Sequence, residues 1–254
     1  MLSAMLSADL YKWMLIFARL GAGAMFLPGF ASGPVPARVR LLFALLLAFI
    51  LMPALGPSLP PAPAQPLPLF LLLGGEITIG IFIGMLTQTM VAALDQAGNS
   101  VSSAVGLTNM FTMDPIAEQQ SQLITGFLSL LGVTVVFVTD THHMMLRALV
   151  DSYELVRPGQ SLPSDDFAHT LVRALSTATL MGLRLAAPLV VFSITFNSAL
   201  ALLNRLVPQI QIFFVGLPIQ IFAGLSILLV CLPAIVLLFM GQLTEGLSQL
   251  MSFG

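Results

Sequence analysis

Four side chains in one short segment have the chemical types that bind metal ions. They are Asp140, His142, His143 and Asp151. Imidazole nitrogens and carboxylate oxygens are common zinc ligands, and the spacing of Asp140 and His143 places both on one face of a helix. Because His142 and His143 are adjacent, a helix would direct their side chains about 100° apart. We therefore interpret this cluster as a helix end at a polar boundary and expect no metal site.

The residues that common catalytic mechanisms need are missing from the sequence. Lys12 is the only lysine, which excludes a P-loop and a Schiff-base lysine. Cys231 is the only cysteine, which excludes an internal disulfide and a cysteine-based metal centre. No Gly-x-Ser-x-Gly sequence is present to position a hydrolase nucleophile. We expect neither an enzyme nor a bound cofactor.

The composition indicates that hydrophobic helices position the polar side chains of this protein. Of the 254 residues, 57% are hydrophobic and only 8% are charged, against about 25% charged in a typical soluble domain. The formal net charge of −2 leaves no basic surface for nucleic acid. We predict an all-α, polytopic integral membrane protein with about six hydrophobic helices arranged as helical hairpins.

Apolar runs and proline positions place the predicted helices. The second apolar run ends at Pro53, and the prolines over residues 53–68 predict a semi-extended linker. Gly80 and Gly84 have the spacing that allows close helix packing, although glycine is also common in membrane helices generally. Two long apolar stretches predict a C-terminal helical hairpin over about residues 171–240. We expect the whole chain, residues 1–254, to form a single membrane-embedded domain.

Polar side chains interrupt the apolar stretches. A charge that faces lipid costs roughly 3 kcal/mol or more, so these residues face protein or a water-filled path. Contacts between subunits explain them, and so does the substrate site of a small-solute transporter built on Glu76, Asp95 and Arg184. The residues that we predict to make polar contacts between subunits are Asp95, Gln96, Arg184, Asn204, Arg205, Gln209 and Gln211.

Several ordered motifs resemble those of a known family. The most specific is the run Asn204–Phe213, which is followed by Gly216-Leu217-Pro218. The motifs Asp95-Gln96-Ala97-Gly98 and Val35-Pro36-x-Arg38-x-Arg40 stand in the same order as in the family. Over about residues 10–240 the chain is similar to the T family of type III secretion export-apparatus proteins, in its flagellar branch.

The resemblance implies a subunit of a flagellar protein-export gate, in the bacterial inner membrane at the basal body. One copy would join several FliP-like and FliQ-like subunits, an FlhB-like subunit would contact the gate from outside, and unfolded flagellar subunits would be exported through it. The implied fold is a FliP-like part followed by a FliQ-like hairpin. A gate of the virulence type, an injectisome, is the alternative within the same family.

The resemblance also places a plug that closes the pore, over residues 105–115. The side chains that suit this role are those of Met110, Phe111 and Met113, because methionine is unbranched and can seal against irregular neighbours. Gly106 permits the unusual backbone that such a loop needs. An ordinary buried loop is the alternative.

Overall fold

The helices of this protein were located in a computed structural model. It describes residues 2–31, 35–106, 123–160, 164–206 and 212–252. These ranges contain seven α-helices, one 3₁₀ turn and no strand, which confirms the predicted all-α class. In chain order they are α1 (Leu2–Ala24), α2 (Ala37–Leu55), the 3₁₀ turn (Gly56–Ser58), α3 (Pro66–Val105), α4 (Leu123–Val138), α5 (Thr141–Leu155), α6 (Ser164–Leu206) and α7 (Ile212–Ser252).

Four of the described segments are long and apolar enough to cross a membrane. They are Ala37–Ser58, Pro66–Val105, Phe167–Leu206 and Val215–Ser248. Helices α4 and α5 meet at a bend of 75° and would together make a fifth span. Helix α1, which carries Asp9, Lys12 and Arg19, is not among them. A polytopic membrane protein is confirmed, with four or five spans by length and composition where the sequence predicted about six helices.

The proline-rich stretch is more helical than the sequence predicts. Pro53 lies inside α2, which continues only two residues further, to Leu55. Pro53 has no N–H to donate to the preceding turn, and the helix ends soon after this lost bond. Helix α3 begins at Pro66, since the first N–H groups of a helix have no intrahelical partner to lose. The predicted linker over residues 53–68 is therefore too wide at both ends, and only residues 59–65 lie outside helical structure.

The chain packs as two compact units, and the single-domain organisation stays a prediction. The first unit comprises Met1–Met90, Phe137–Ala174 and Thr244–Gly254. The second comprises Val91–Val136 and Leu175–Leu243. Helices α3, α4, α6 and α7 each contribute residues to both units.

A fully buried arginine joins three helices of the first unit. Nε and Nη2 of Arg19 in α1 donate hydrogen bonds to the two carboxylate oxygens of Glu76 in α3, at 2.7 and 3.1 Å. Nη1 donates to the carbonyl oxygen and to Oγ of Ser152, at 2.9 and 3.2 Å. Nη2 also donates to the carbonyl oxygen of Val156 at 2.9 Å. These five bonds use all five N–H donors of the guanidinium group.

The surroundings of Arg19 favour a positive charge. Its Cζ atom lies 4.0 Å from the ring centroid of Tyr153, within the range of a cation–π interaction. Ser152 and Val156 lie at the C-terminal end of α5, where the helix dipole places partial negative charge. The Glu76 carboxylate, which the transporter hypothesis required, is thus already bonded to an arginine of the same chain.

Glycines allow α1 and α3 to pack backbone to backbone beside this ion pair. A Cβ atom on Gly80 would overlap the carbonyl oxygen of Arg19, and one on Gly84 would lie 2.7 Å from the carbonyl oxygen of Gly23. A side chain at either position would force the two helices apart. The close approach that the spacing of Gly80 and Gly84 predicts is confirmed.

Removing the Glu76 carboxylate should strongly destabilise the first unit. Glu76→Ala leaves the Arg19 charge buried without its counter-ion, and such a loss costs about 3–5 kcal/mol of unfolding free energy. Denaturant titration of the chain in mild detergent, followed by the fluorescence of the single tryptophan, Trp13 of α1, measures it.

A matched control breaks an exposed ion pair on α5. Arg147 and Asp151 approach to 3.5 Å, with side chains 77% and 38% exposed. Asp151→Asn should change the unfolding free energy by no more than about 0.5 kcal/mol. Equal losses for Glu76→Ala and Asp151→Asn would contradict a central role for the buried pair.

Candidate functional site

The residues predicted to contact other subunits separate into three groups. Gln96 of α3 and Arg184, Asn204 and Arg205 of α6 are exposed. Asp95 is half-buried and bonded within the chain. Gln209 and Gln211 lie outside the described residues. The four exposed residues are those whose side chains are accessible to another subunit.

Helix α6 exposes an arginine in the middle of an apolar segment. Arg184 is exposed directly after Leu183 and one helical turn after Leu180, which are themselves 50% and 54% exposed. This arginine lies well inside the apolar segment Phe167–Leu206. A guanidinium at that position is far more stable against a protein neighbour or water than against lipid.

Two polar pairs join α3 to α4 in the second unit. The Ser129 hydroxyl donates to the Asp95 carboxylate, and Thr125 Oγ1 donates to Asn99 Oδ1 at 3.0 Å. Between them a Cβ atom on Gly98 would lie 2.5 Å from the Cα atom of Thr125, so the helices are in close contact. The Asp95 carboxylate thus has a partner on the adjacent helix of its own chain, and its contact with another subunit stays a prediction.

Helix α3 ends at a glycine with a left-handed backbone. Gly106 has φ +85° and its N–H donates to the carbonyl oxygen of Ser103 at 3.2 Å. Residues with a side chain rarely adopt this φ, which explains the glycine as the residue that ends the helix. Gly106 is the first of the predicted plug residues, and the other three, Met110, Phe111 and Met113, lie outside the described residues.

A buried glutamine of α7 holds the last turn of α3. Gln220 is 4% exposed, and its Nε2 donates to the carbonyl oxygen of Ala104 at 2.9 Å. This carbonyl is among the last four of α3, which have no intrahelical donor. A Cβ atom on Gly106 would lie 3.3 Å from the Gln220 amide, and one on Gly224 would lie 2.8 Å from the Val105 side chain. Helix α7 therefore fixes the point from which the chain continues into residues 107–122.

Sequence reasoning did not select Gln220 as a site residue. It was one of many polar residues in apolar stretches, and its partner is a backbone carbonyl more than a hundred positions earlier. An isolated amide in an otherwise apolar run does indicate a buried hydrogen bond, since burying an amide without one is costly. It does not indicate which group is the partner.

The Asp140 cluster is more compact than the sequence predicts. The ring centroids of His142 and His143 lie 4.1 Å apart, and one ligand atom from each of Asp140, His142 and His143 lies within 4.8 Å of the others. Asp151 is not part of this group and pairs with Arg147. The expected divergence of the two histidines does not separate their rings, because rotation of the side chains brings adjacent residues together in the first turn of α5.

Replacing Gln220 by leucine should loosen the end of α3. The Ala104 carbonyl would lose its donor inside an apolar interior, at a cost of about 1–3 kcal/mol. Hydrogen exchange by mass spectrometry should show faster exchange, by about tenfold or more, in the peptide that contains Ser103 and Gly106. The control Gln96→Leu changes an exposed amide of α3 itself and should leave the exchange of that peptide unaffected. Unchanged exchange in Gln220→Leu would contradict the anchoring role.

Comparison with known proteins shows similarity along nearly the whole chain. The family described as "Bacterial export proteins, family 1" matches residues 10–246. The flagellar biosynthetic protein FliR of Caulobacter vibrioides is 36% identical, over 93% of this chain and 94% of that protein. FliR of Escherichia coli is 32% identical, over 89% and 85%. The secretion system apparatus protein SsaT of Salmonella typhimurium is 26% identical, over 64% and 63%.

Proposed function

Because the chain belongs to the bacterial export proteins, family 1, we propose that it is a non-enzymatic structural subunit that forms part of the wall of an export conduit. It is a subunit of the flagellar type III export apparatus and a multi-pass membrane protein that works with other export subunits. We place it in the bacterial inner membrane at the flagellar basal body, with one copy in each gate.

The observation that carries the proposal is the exposed polar group of α6. Arg184 lies within a segment apolar enough to span a membrane, and Asn204 and Arg205 are exposed near its end. A lipid neighbour would leave these groups without hydrogen-bond partners, whereas another protein subunit can supply them. An exposed polar surface within an apolar helix therefore supports a subunit whose polar groups find their hydrogen-bond partners in neighbouring subunits.

The partners follow from the family resemblance. We propose FliP-like and FliQ-like subunits as the neighbours in the gate, an FlhB-like subunit on its outside, and unfolded flagellar proteins as the exported cargo. The two long helices α6 and α7 correspond to the FliQ-like hairpin of the proposal. Gly216 of α7 has the Leu200 side chain of α6 within 2.8 Å of its Cβ position, which supports direct packing of the two helices.

We further propose that residues 105–115 act as the plug of the conduit. Val105 and Gly106 at the start of this segment directly follow Ala104, the residue of α3 whose carbonyl Gln220 holds. The hydrogen bonds that Ser129 and Thr125 of α4 donate to Asp95 and Asn99 tie α3 to α4, the helix that follows this region of the chain. A closing segment needs fixed attachment points, and these contacts supply them.

The two alternative functions have less support. A small-solute transporter would need Glu76 and Asp95 available to a substrate, yet both carboxylates are bonded to other residues of the chain. A virulence-type gate would favour similarity to SsaT, which covers 64% of the chain, against 93% for the Caulobacter vibrioides protein.

Recovery of partners on purification tests the proposed function. The tagged chain, expressed with its gate partners and extracted in mild detergent, should co-purify with the FliP-like and FliQ-like subunits. Arg184→Ala should lower their recovery, because the partner groups that face the arginine lose their bond. The control Arg147→Ala removes an exposed arginine of α5 and should leave recovery unchanged. Isolation of the chain alone as a solute-binding protein would refute the proposal.

Ion leak through the assembled gate tests the plug. Deleting Thr108–Met113 should raise the leak of ions across vesicles that contain the gate, since the closing side chains Met110, Phe111 and Met113 are lost. The recovery of partner subunits serves as the control for assembly. An unchanged leak in a gate that assembles normally would overturn the plug assignment.

A further inference from the structure

We propose that Asp140, His142 and His143 form a binding site for a divalent transition-metal ion at the bend between α4 and α5. One ligand atom from each of these residues lies within 4.8 Å of the other two. Two imidazoles and a carboxylate are a common ligand set for zinc, with water in the remaining position. The nitrogen ligands favour ions of the zinc, nickel and copper group over magnesium and calcium.

The backbone at the bend brings the ligands together. Asp140 has φ 56° and ψ 14°, and it is the only described residue other than glycine with a positive φ. This left-handed turn directly precedes α5 and accompanies the 75° bend after α4. The His143 N–H donates to the Asp140 carbonyl oxygen at 3.0 Å, so the main chain of residues 140–143 forms a hydrogen-bonded turn. Aspartate is among the few residues that adopt this backbone readily.

The side chain of His142 supplies an independent observation. Its ring stacks on Phe137 at 4.8 Å between centroids, and its Nδ1 is buried without a hydrogen-bond partner. A buried polar atom without a partner is unusual in a native protein and calls for an explanation. In the tautomer protonated at Nε2, this Nδ1 has a lone pair available for coordination, and a bound ion would provide the missing partner.

The other two ligands have room to complete the coordination shell. The side chains of Asp140 and His143 are 78% and 69% exposed, and His143 Nδ1 already lies 3.6 Å from Asp140 Oδ1. Bonds of about 2.0–2.2 Å to zinc need ligand atoms roughly 3–3.5 Å apart, which small side-chain rotations reach. The nearby Arg147 is paired with Asp151, so the positive charge of the arginine is partly neutralised beside the site.

A bound ion would link the residue before α5 to the first turn of that helix. It would therefore hold the left-handed turn at Asp140 fixed against the start of α5. This inference does not depend on the proposed export function, because the ligands all come from one chain.

Metal titration of the purified chain tests the site. The chain, carrying a tag without histidine, is titrated in mild detergent with Co²⁺, whose visible absorption reports coordination, and then with Zn²⁺ in competition. We expect one ion per chain. His142→Ala and His143→Ala should each weaken binding at least tenfold, because each removes one of three protein ligands.

His169 provides the matched control, since it is the remaining histidine of the three in the chain and is exposed on α6. His169→Ala should leave the affinity unchanged. Helical circular dichroism of every variant separates loss of a ligand from loss of folding, and Asp140→Asn, which keeps the shape of the side chain, gives a second weakened variant. Equal affinity in all histidine variants would show adventitious surface binding only and would overturn the proposal.

Discussion

The buried guanidinium of Arg19 is the constraint on which the first unit depends. Removing a charge from water is so costly that it is tolerated only when every donor finds an acceptor. The acceptors here come from α3 and from the end of α5, so three helices must occupy one arrangement at the same time. The close contact of α1 and α3 at Gly80 follows from the same requirement, since any side chain there would separate Arg19 from Glu76.

The features of the fold that depend on residues close together in the sequence could be predicted from it. Apolar runs predict helices, and the spacing of Gly80 and Gly84 predicts a close crossing. The helix limits differ from prediction because Pro66 begins α3, where its missing N–H has no partner to lose, and because α2 continues two residues past Pro53. Local sequence patterns cannot predict the pairing of Arg19 with Glu76, which lies 57 positions later. They also cannot identify Val156 as an acceptor, because it accepts through its backbone carbonyl and its side chain takes no part.

In the candidate site, too, local features could be predicted from the sequence and contacts between distant residues could not. Gly106 could be selected from sequence because a left-handed helix end favours glycine. Gln220 could not be matched to its partner, a backbone carbonyl of another helix. The separation expected for His142 and His143 rests on regular helical geometry, which says nothing of side-chain rotation at the start of α5. Asp95 was recognised as polar in an apolar setting, but only three-dimensional packing identifies Ser129 as its neighbour.

The distances along the chain at Arg19 also impose an order on biosynthesis. The last acceptor of its guanidinium, the carbonyl of Val156, is synthesised 137 residues after the arginine itself. At about 5–20 residues per second, this delay is on the order of ten seconds. The Glu76 carboxylate, 57 residues after the arginine, is available earlier, and until α5 is made the remaining N–H groups need other acceptors such as water. The guanidinium of Arg19 can thus acquire its full set of hydrogen bonds only after synthesis has passed Val156, so the final packing of α1 against α3 and α5 is a late step.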